Sequence, residues 1–504
     1  MPEQQHGRLV YGTSVAVVIA VVLYGLFQPE EFGRQTNNLF VFVGGHFGWW
    51  YMLAMNVFVV VPLVLALSRF GRLTMGQPGE KPEFSDLSWF GMLFGAGMGV
   101  GLVFYGVGEP LYHLASRPFG GEPLSGQAGR EAMRATFFHW GLHPWASYSV
   151  IAICLSYFQF RKNSPALISS LFTPYLGPKG QDGALARVID VLTIFATVGG
   201  IATSLGLAVL QISSGLNQLL GLEKSAANSL AILVVLAAAY IGSAISGLNK
   251  GIRYLGNFNL ALFSLLAVAL FLFGPSVKIL ETFMTSLGAY VSGLVSQSFD
   301  LAPHGGGYKS WLNDWTLYYW AWWIAWAPFV GSFVARISRG RTLRQFVFGV
   351  LLAPSLGCFT WFSIFGGTAL SLEMSGQADL TSVVNADLSA GIFALYQHIH
   401  LGTIMSFLML ILICTFFVTS GNASTFVLSM YSSGGKQTPV KTKIFVWGIL
   451  QAALAFVLML SDGLKTLQIA SILAALPFSL IMVLALVCFI KTARRDFPEG
   501  STIS

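Results

Sequence analysis

Apolar runs about 20 residues long, separated by short polar connections, recur from one end of this chain to the other. A helix rises about 1.5 Å per residue, so roughly 20 apolar residues cross the ~30 Å of hydrocarbon in a bilayer. On that template the pattern predicts an all-α polytopic membrane protein with twelve spans, near 9–27, 47–68, 87–114, 133–160, 188–218, 226–247, 255–274, 315–337, 345–372, 403–431, 443–461 and 466–491. The first run has no small-residue cleavage site at its end and reads as a retained span. The stretch 276–297 is less apolar and lies between two spans; it predicts an amphipathic helix resting on the membrane surface.

Two runs depart from the ordinary apolar pattern, and they lie five spans apart. The third carries Gly95, Gly97, Gly99 and Gly101, with Gly106 and Gly108 beyond. Each glycine costs up to about 1 kcal/mol of helix propensity, so the backbone is expected to unwind. Unwound backbone is tolerated at membrane depth only where it lines a cavity or is covered by protein. Close-packing motifs space small residues by four, whereas these are spaced by two and point around the helix. The other unusual run is 315–329, WTLYYWAWWIAWAPF. An odd offset makes the two runs cross in opposite directions, as inverted repeats require. The expected organisation is two extra helices in 1–86, a first five-helix repeat in 87–274 and a connector with the surface helix in 275–314. A second repeat follows in 315–491, with a short tail in 492–504.

An interfacial belt puts tryptophan at span ends. Trp315 fits, but Trp326 lies about ten residues from either end, roughly 15 Å deep. Tyr319, Trp322, Trp323 and Trp326 are spaced to share one helical face, and Pro328 is expected to bend the helix after them. A second aromatic group, FFHWGLHPWASY at 137–148, contains Trp140, Trp145 and Tyr148. Facing each other, the two groups build a box of ring faces. A quaternary ammonium has no N–H to donate, and ring quadrupoles attract it by about 2 kcal/mol or more once it is desolvated. The competing reading is that these aromatics fill a large core.

Composition agrees with a membrane protein: 55% of residues are hydrophobic, 10% are charged, and the mean hydropathy is +0.68. Most of the 28 Lys and Arg fall on alternate loops, which places both termini in the cytoplasm. The net charge of +7 is therefore topological, and its spread over separate loops excludes a nucleic-acid-binding face. The four cysteines stand singly in apolar runs, without metal or disulfide spacing. No phosphate-binding loop is present, so gradient-driven transport is favoured over direct ATP drive. No cluster suits an enzyme, and charges within the spans are too sparse for a channel. Glu109, the acid of the third span, reads as a gate or structural group more than a proton relay. His139 and His143 could chelate a metal, but with no third ligand nearby a hydrogen-bonded core pair is favoured. The arginines of 336–344 read equally as gating or lipid-headgroup contacts and as positive-inside anchors.

The stretches 95–113, 137–148 and 320–342 resemble the betaine/carnitine/choline transporter family, most closely its sodium-coupled glycine betaine members. The resemblance covers essentially all twelve spans. It implies two inverted five-helix repeats with alternating access, and a homotrimer with the surface helix at its contacts. It also implies a bacterial inner-membrane location among membrane lipid. Carried over residue by residue, the aromatic box falls on Trp140, Trp145, Tyr148, Trp323 and Trp326, with Trp322 on the path toward the cytoplasm. The substrate carboxylate would face the unwound backbone at Met98, Gly99 and Gly101. No cofactor is implied; Na+ is the coupling ion, on Gly95, Met98, Phe416, Thr419 and Ser420. A second ion site would use Thr203, Ser204 and Phe329. Ion-independent exchangers place an arginine in the core, and 254–263 carries Asn257 and Asn259 without one. Many members have aspartate where this chain has Asn422, which keeps proton coupling open. With no acid within 95–101, the expected substrate is a zwitterion such as glycine betaine. A sodium-independent exchanger of the carnitine/butyrobetaine type and a proton-coupled choline symporter remain as alternatives. Long charged tails, common in osmoregulated relatives, are not seen, so little intrinsic osmotic activation is expected.

Overall fold

The computed structural model describes residues 2–97, 99–180, 182–247 and 249–498. Among these the chain is helical, and the antiparallel bridge between Thr74 and Thr342 is its one strand-type pairing. In chain order the principal helices are α1 (Pro2–Phe27), α2 (Pro29–Leu67), α3 (Asp86–Gly97), α4 (Val100–Ser116), α5 (Gly126–Trp140), α6 (Leu142–Leu155), α7 (Ala184–Leu220) and α8 (Ala226–Ser246). They continue with α9 (Asn249–Phe273), α10 (Ser276–Phe299), α11 (Tyr318–Ile337), α12 (Leu343–Met374), α13 (Gly402–Tyr431), α14 (Lys441–Asp462) and α15 (Leu464–Asp496). Among the described residues nine helices are long and apolar enough to cross a membrane, or ten if the bent pair α3–α4 forms one span. Outward-facing Leu23, Val234, Val235, Leu265 and Leu272 are exposed apolar side chains, as a lipid-facing surface requires. The protein is a polytopic helical membrane protein.

The expected spans 133–160 and 315–337 are outside that set of nine, and both are interior aromatic segments. The first is not one helix. It breaks at Gly141 into α5 and α6, followed by a π-helical turn at Ser156–Arg161. Space explains the glycine: a Cβ there would lie 2.7 Å from both the Phe137 carbonyl and the Tyr290 hydroxyl. Pro144, which has no N–H to give, sits in the first turn after the break, where a helix tolerates it. The Tyr290 hydroxyl accepts the Leu142 N–H at 3.1 Å, so α10 caps α6. The second segment opens with a π-helical turn at Leu312–Leu317. It then runs uninterrupted through Pro328, where a bend was expected. The irregularity of the second half thus lies at the start of the aromatic run, around Trp315.

The glycine-rich third span is broken as its spacing predicts. Its two pieces, up to Gly95 and from Val100, meet at 66°. Gly99 caps α4 in an extended conformation. Around this break the core is assembled from α4, α6, α7, α11 and α12, with α6 and α11 in the most extensive packing of all. Without water to expel between helices in lipid, such packing is held by dispersion and interhelical hydrogen bonds.

Candidate functional site

The breaks at Gly99 and Gly141 aim two helix ends at the aromatic helix α11. Trp140 ends α5 and meets Trp323 edge-to-face, with centroids 4.9 Å apart. Tyr148, two turns into α6, meets Trp323 at 6.4 Å and Trp145 at 5.6 Å. Trp323 stacks on Trp322 at 4.9 Å, and Trp322 on Tyr318 at 5.5 Å. Trp140, Trp145, Tyr148, Trp322 and Trp323 thus form one connected set of buried rings. The break at Gly141 also frees carbonyls at the end of α5, and the Trp323 N–H takes that of His139 at 3.1 Å.

Trp326 belongs to a different neighbourhood. Its N–H donates to the Gly200 carbonyl on α7 at 2.9 Å, its ring meets Phe329 at 5.4 Å, and it is partly exposed. The Trp322 N–H reaches the same carbonyl at 3.4 Å. Gly200 is what lets them approach, since a Cβ would stand 2.8 Å from the Trp326 ring.

The glycines of the third span divide in two. At Gly95 and Gly99 an added Cβ would meet nothing within 4 Å. At Gly101 it would stand 2.4 Å from Cη2 of Trp322 and 3.3 Å from Trp140. The N-terminal turn of α4, the positive end of its dipole, therefore lies against the ring cluster. Met98, expected at both the substrate and sodium sites, lies outside the described residues.

The remaining ion-site residues sit on α13, and Phe263 of α9 links them to the glycine break. Its ring lies 5.8 Å from Phe94 and 6.4 Å from Phe416. The Thr419 hydroxyl donates to the carbonyls of Phe416 and Thr415 at 3.0 and 3.1 Å, and receives Asn259 at 3.4 Å. Ser420 is half-buried beside it. Asn422 donates to Ser243 at 2.8 Å. Of the second set, Thr203 turns to α15, bonding the Leu467 carbonyl at 2.7 Å and Ser471 at 2.8 Å. Ser204 bonds back to the Gly200 carbonyl, and Phe329 packs on Trp326.

The largest departure from the sequence reading is at Glu109, which lies at the centre of a buried network. Its Oε2 accepts the Trp140 N–H at 2.8 Å and the Tyr319 hydroxyl at 2.5 Å. Its Oε1 meets Nδ1 of His139 at 2.7 Å and Nε2 of His113 at 3.3 Å. His139 and His143 do not pair. His143 stacks on Trp320 at 4.7 Å and meets Ser298 at 3.3 Å. The ligand-type partners of His139 that the sequence reading missed are Glu109 and His113: the three bring their donor atoms within 4.8 Å of one another. Glu109 and His113, at i and i+4 on α4, were the available signal.

Arginines at the end of α11 and just after it are paired with acids preceding and opening α3. Arg336 pairs with Glu83, Arg339 with Glu80 and Arg341 with Asp86, each at 2.6 Å.

Comparison with known proteins places the chain among transporters. A family model described as "BCCT, betaine/carnitine/choline family transporter" matches residues 9–498. The chain is 44% identical over 495 residues to the glycine betaine transporter OpuD of Bacillus subtilis (strain 168), covering 98% of this chain and 96% of that one. It is 42% identical over 488 residues to a probable glycine betaine transporter of Desulfitobacterium hafniense (strain Y51), covering 96% and 97%. It is also 42% identical over 484 residues to the ectoine/hydroxyectoine transporter of Virgibacillus pantothenticus, covering 96% and 95%. These relatives are transporters and not enzymes.

Proposed function

The chain belongs to the betaine/carnitine/choline transporter family, and from that premise we propose that it imports a trimethylammonium zwitterion, glycine betaine or a similar compatible solute, by sodium symport with alternating access. The observation that carries this reading is the connected ring cluster of Trp140, Trp145, Tyr148, Trp322 and Trp323, set against the N-terminus of α4. A methylated cation suits the ring faces and a carboxylate suits the positive dipole end of the broken helix. In this reading Trp326 stands one helical turn along the permeation path and contributes once the helices rearrange. Sodium would sit among Gly95, Met98, Phe416, Thr419 and Ser420, whose carbonyls and hydroxyls are hard oxygen donors. Thr203, Ser204 and Phe329 make a weaker case for a second ion, because Thr203 is already committed to α15.

The proposed architecture is twelve spans, counting α3–α4, α5–α6 and the segment that ends in α11, arranged as two inverted five-helix repeats after α1 and α2. It is placed in a bacterial inner membrane with both termini in the cytoplasm. A homotrimer is proposed through α10, whose Val277, Met284, Val291 and Val295 form an exposed apolar stripe on the side opposite the buried Tyr290.

Uptake of labelled glycine betaine into proteoliposomes, with and without an inward sodium gradient, tests the reading. Accumulation should require the gradient. Uptake indifferent to sodium would replace symport with exchange or proton coupling. Uptake of ectoine but not glycine betaine would overturn the substrate.

A further inference from the structure

We infer that Glu109 is a specificity-determining residue: a buried, uncompensated carboxylate placed behind the aromatic cluster, whose negative charge selects ligands that are cationic at the ring faces. The inference rests on the betaine reading above and adds a residue to it that touches no ligand.

Hydrogen-bond geometry fixes the tautomer of His113 and supports an ionised Glu109. The Trp311 N–H donates to Nδ1 of His113 at 3.1 Å. An indole can only donate, so Nδ1 carries no proton, and His113 is a neutral ring with its hydrogen on Nε2. That Nε2–H faces Oε1 of Glu109 at 3.3 Å. Trp140, another obligate donor, points at Oε2 at 2.8 Å. With the Tyr319 hydroxyl and Nδ1 of His139, four donor groups converge on two oxygens. With His139 as its Nδ1–H tautomer, whose Nε2 accepts from Thr316, all four groups donate and fill the accepting capacity of an ionised carboxylate, the form we assign to Glu109. His139 completes the network through Nε2 to the Thr316 hydroxyl at 3.0 Å. Among the described residues no lysine or arginine takes part in it. Both Glu109 and His113 have fully buried side chains.

One of the four donors, Trp140, is a ring of the aromatic cluster, and another, Tyr319, stacks on it. Trp140 and Tyr319 hold the carboxylate by their polar edges, and both contact Trp323, at 4.9 and 5.7 Å. Donation to an anion enriches a ring's π density, and the anion's own field adds to that of the ring faces. At roughly 8 Å and an effective dielectric of about 20, a unit charge is worth on the order of tenfold or more in a binding equilibrium. A purely structural carboxylate would serve any ligand of the same shape equally. A carboxylate acting by its charge discriminates between a cation and its neutral isostere.

The test compares glycine betaine with 3,3-dimethylbutanoate, in which carbon replaces the quaternary nitrogen, by calorimetric titration of the purified protein in detergent. The unsubstituted protein should prefer glycine betaine, and Glu109→Gln should lower that preference about tenfold through loss of the cationic ligand alone. Glu109→Asp should hold the preference within about threefold. Should the Gln variant not fold, His113→Lys tests the same charge: it keeps a donor beside Glu109 but compensates it, and should lower the preference similarly. Equal weakening of both ligands, or a preference unmoved by Gln or Lys, would overturn the inference while leaving the transport reading intact. Failure of the unsubstituted protein to bind glycine betaine would overturn both.

Discussion

The ring of Trp140 has two duties at once: its N–H is donated to Glu109 at 2.8 Å, while its edge meets Trp323 at 4.9 Å. Buried indoles in lipid-spanning protein need a partner for their N–H, and here every interior tryptophan of the α11 face finds one on another helix. Trp322 and Trp326 use Gly200, Trp323 uses His139, and Trp320 uses the sulfur of Met52. Ring orientation is therefore set by hydrogen bonds to three other helices, so the cluster is pre-organised before any ligand arrives.

Trp323→Ala should abolish measurable high-affinity binding. A desolvated cation–π face is worth about 2 kcal/mol, or roughly 30-fold, and the lost ring also lets Trp322 and Trp140 collapse. The cavity will also lower stability, by about 3 kcal/mol or more. Trp323→Phe separates the two effects. It keeps a ring face and should retain more binding than Ala, as titration beside a thermal melt would report; equal loss in both would place the ligand elsewhere.

Gly101→Ala should cut uptake strongly while leaving the protein folded. Its Cβ would fall 2.4 Å from Cη2 of Trp322, so that ring has to move out of its stack with Trp323. Overpacking of this kind costs typically about 1–3 kcal/mol. Gly99→Ala meets nothing within 4 Å and should fold normally. Uptake by the two alanine variants in parallel checks the contrast.

How much of this was legible beforehand follows from the kind of signal each feature leaves. The break at the alternating glycines, and the joining of Trp140, Trp145 and Tyr148 with α11, follow from propensity and helical spacing. The break at Gly141 was overlooked, although Pro144 three residues on marks a first helical turn. The helix continues through Pro328, whose missing N–H removes a bond without forcing the helix to end. His113, His139 and Glu109 come from two helices, α4 and α5, and their meeting depends on the angle at which these pack on each other. No local pattern encodes that angle. Spacing within one helix pointed instead to His139 and His143, which face different partners.

The three ion pairs joining Glu80, Glu83 and Asp86 to the end of α11 should contribute unequally. Arg336 and Glu83 are both about half exposed, and such pairs contribute about 0–1 kcal/mol. The Arg341 side chain is only 4% exposed; it also donates to the Phe84 carbonyl at 3.0 Å and lies 4.0 Å over the Trp89 ring. Arg341→Ala should lower the melting temperature clearly more than Arg336→Ala. Arg341→Lys should not restore it, since an ammonium lacks the planar fork that reaches carboxylate and carbonyl together. Equal shifts would show that the contact is superficial.

Asp387 gives a pH-dependent contribution outside the spans. Burial alone would raise its carboxyl, but Lys224, Ser389 and Ser214 outweigh burial and hold it below the ordinary value. Ser389 donates at 2.6 Å and Ser214 at 2.8 Å, and Lys224 supplies the charge. A carboxyl lowered on folding stabilises the native state fully above its unfolded pKa of about 3.9. That contribution is lost as pH falls from there through the lower folded value. The stability gap between the unsubstituted protein and Asp387→Asn should therefore be constant from neutral pH down to about 5 and close progressively below about 4. Thermal melts in detergent at stepped pH measure it. A gap that widened on acidification would require the folded carboxyl to be raised, and the hydrogen bonds described here to be absent.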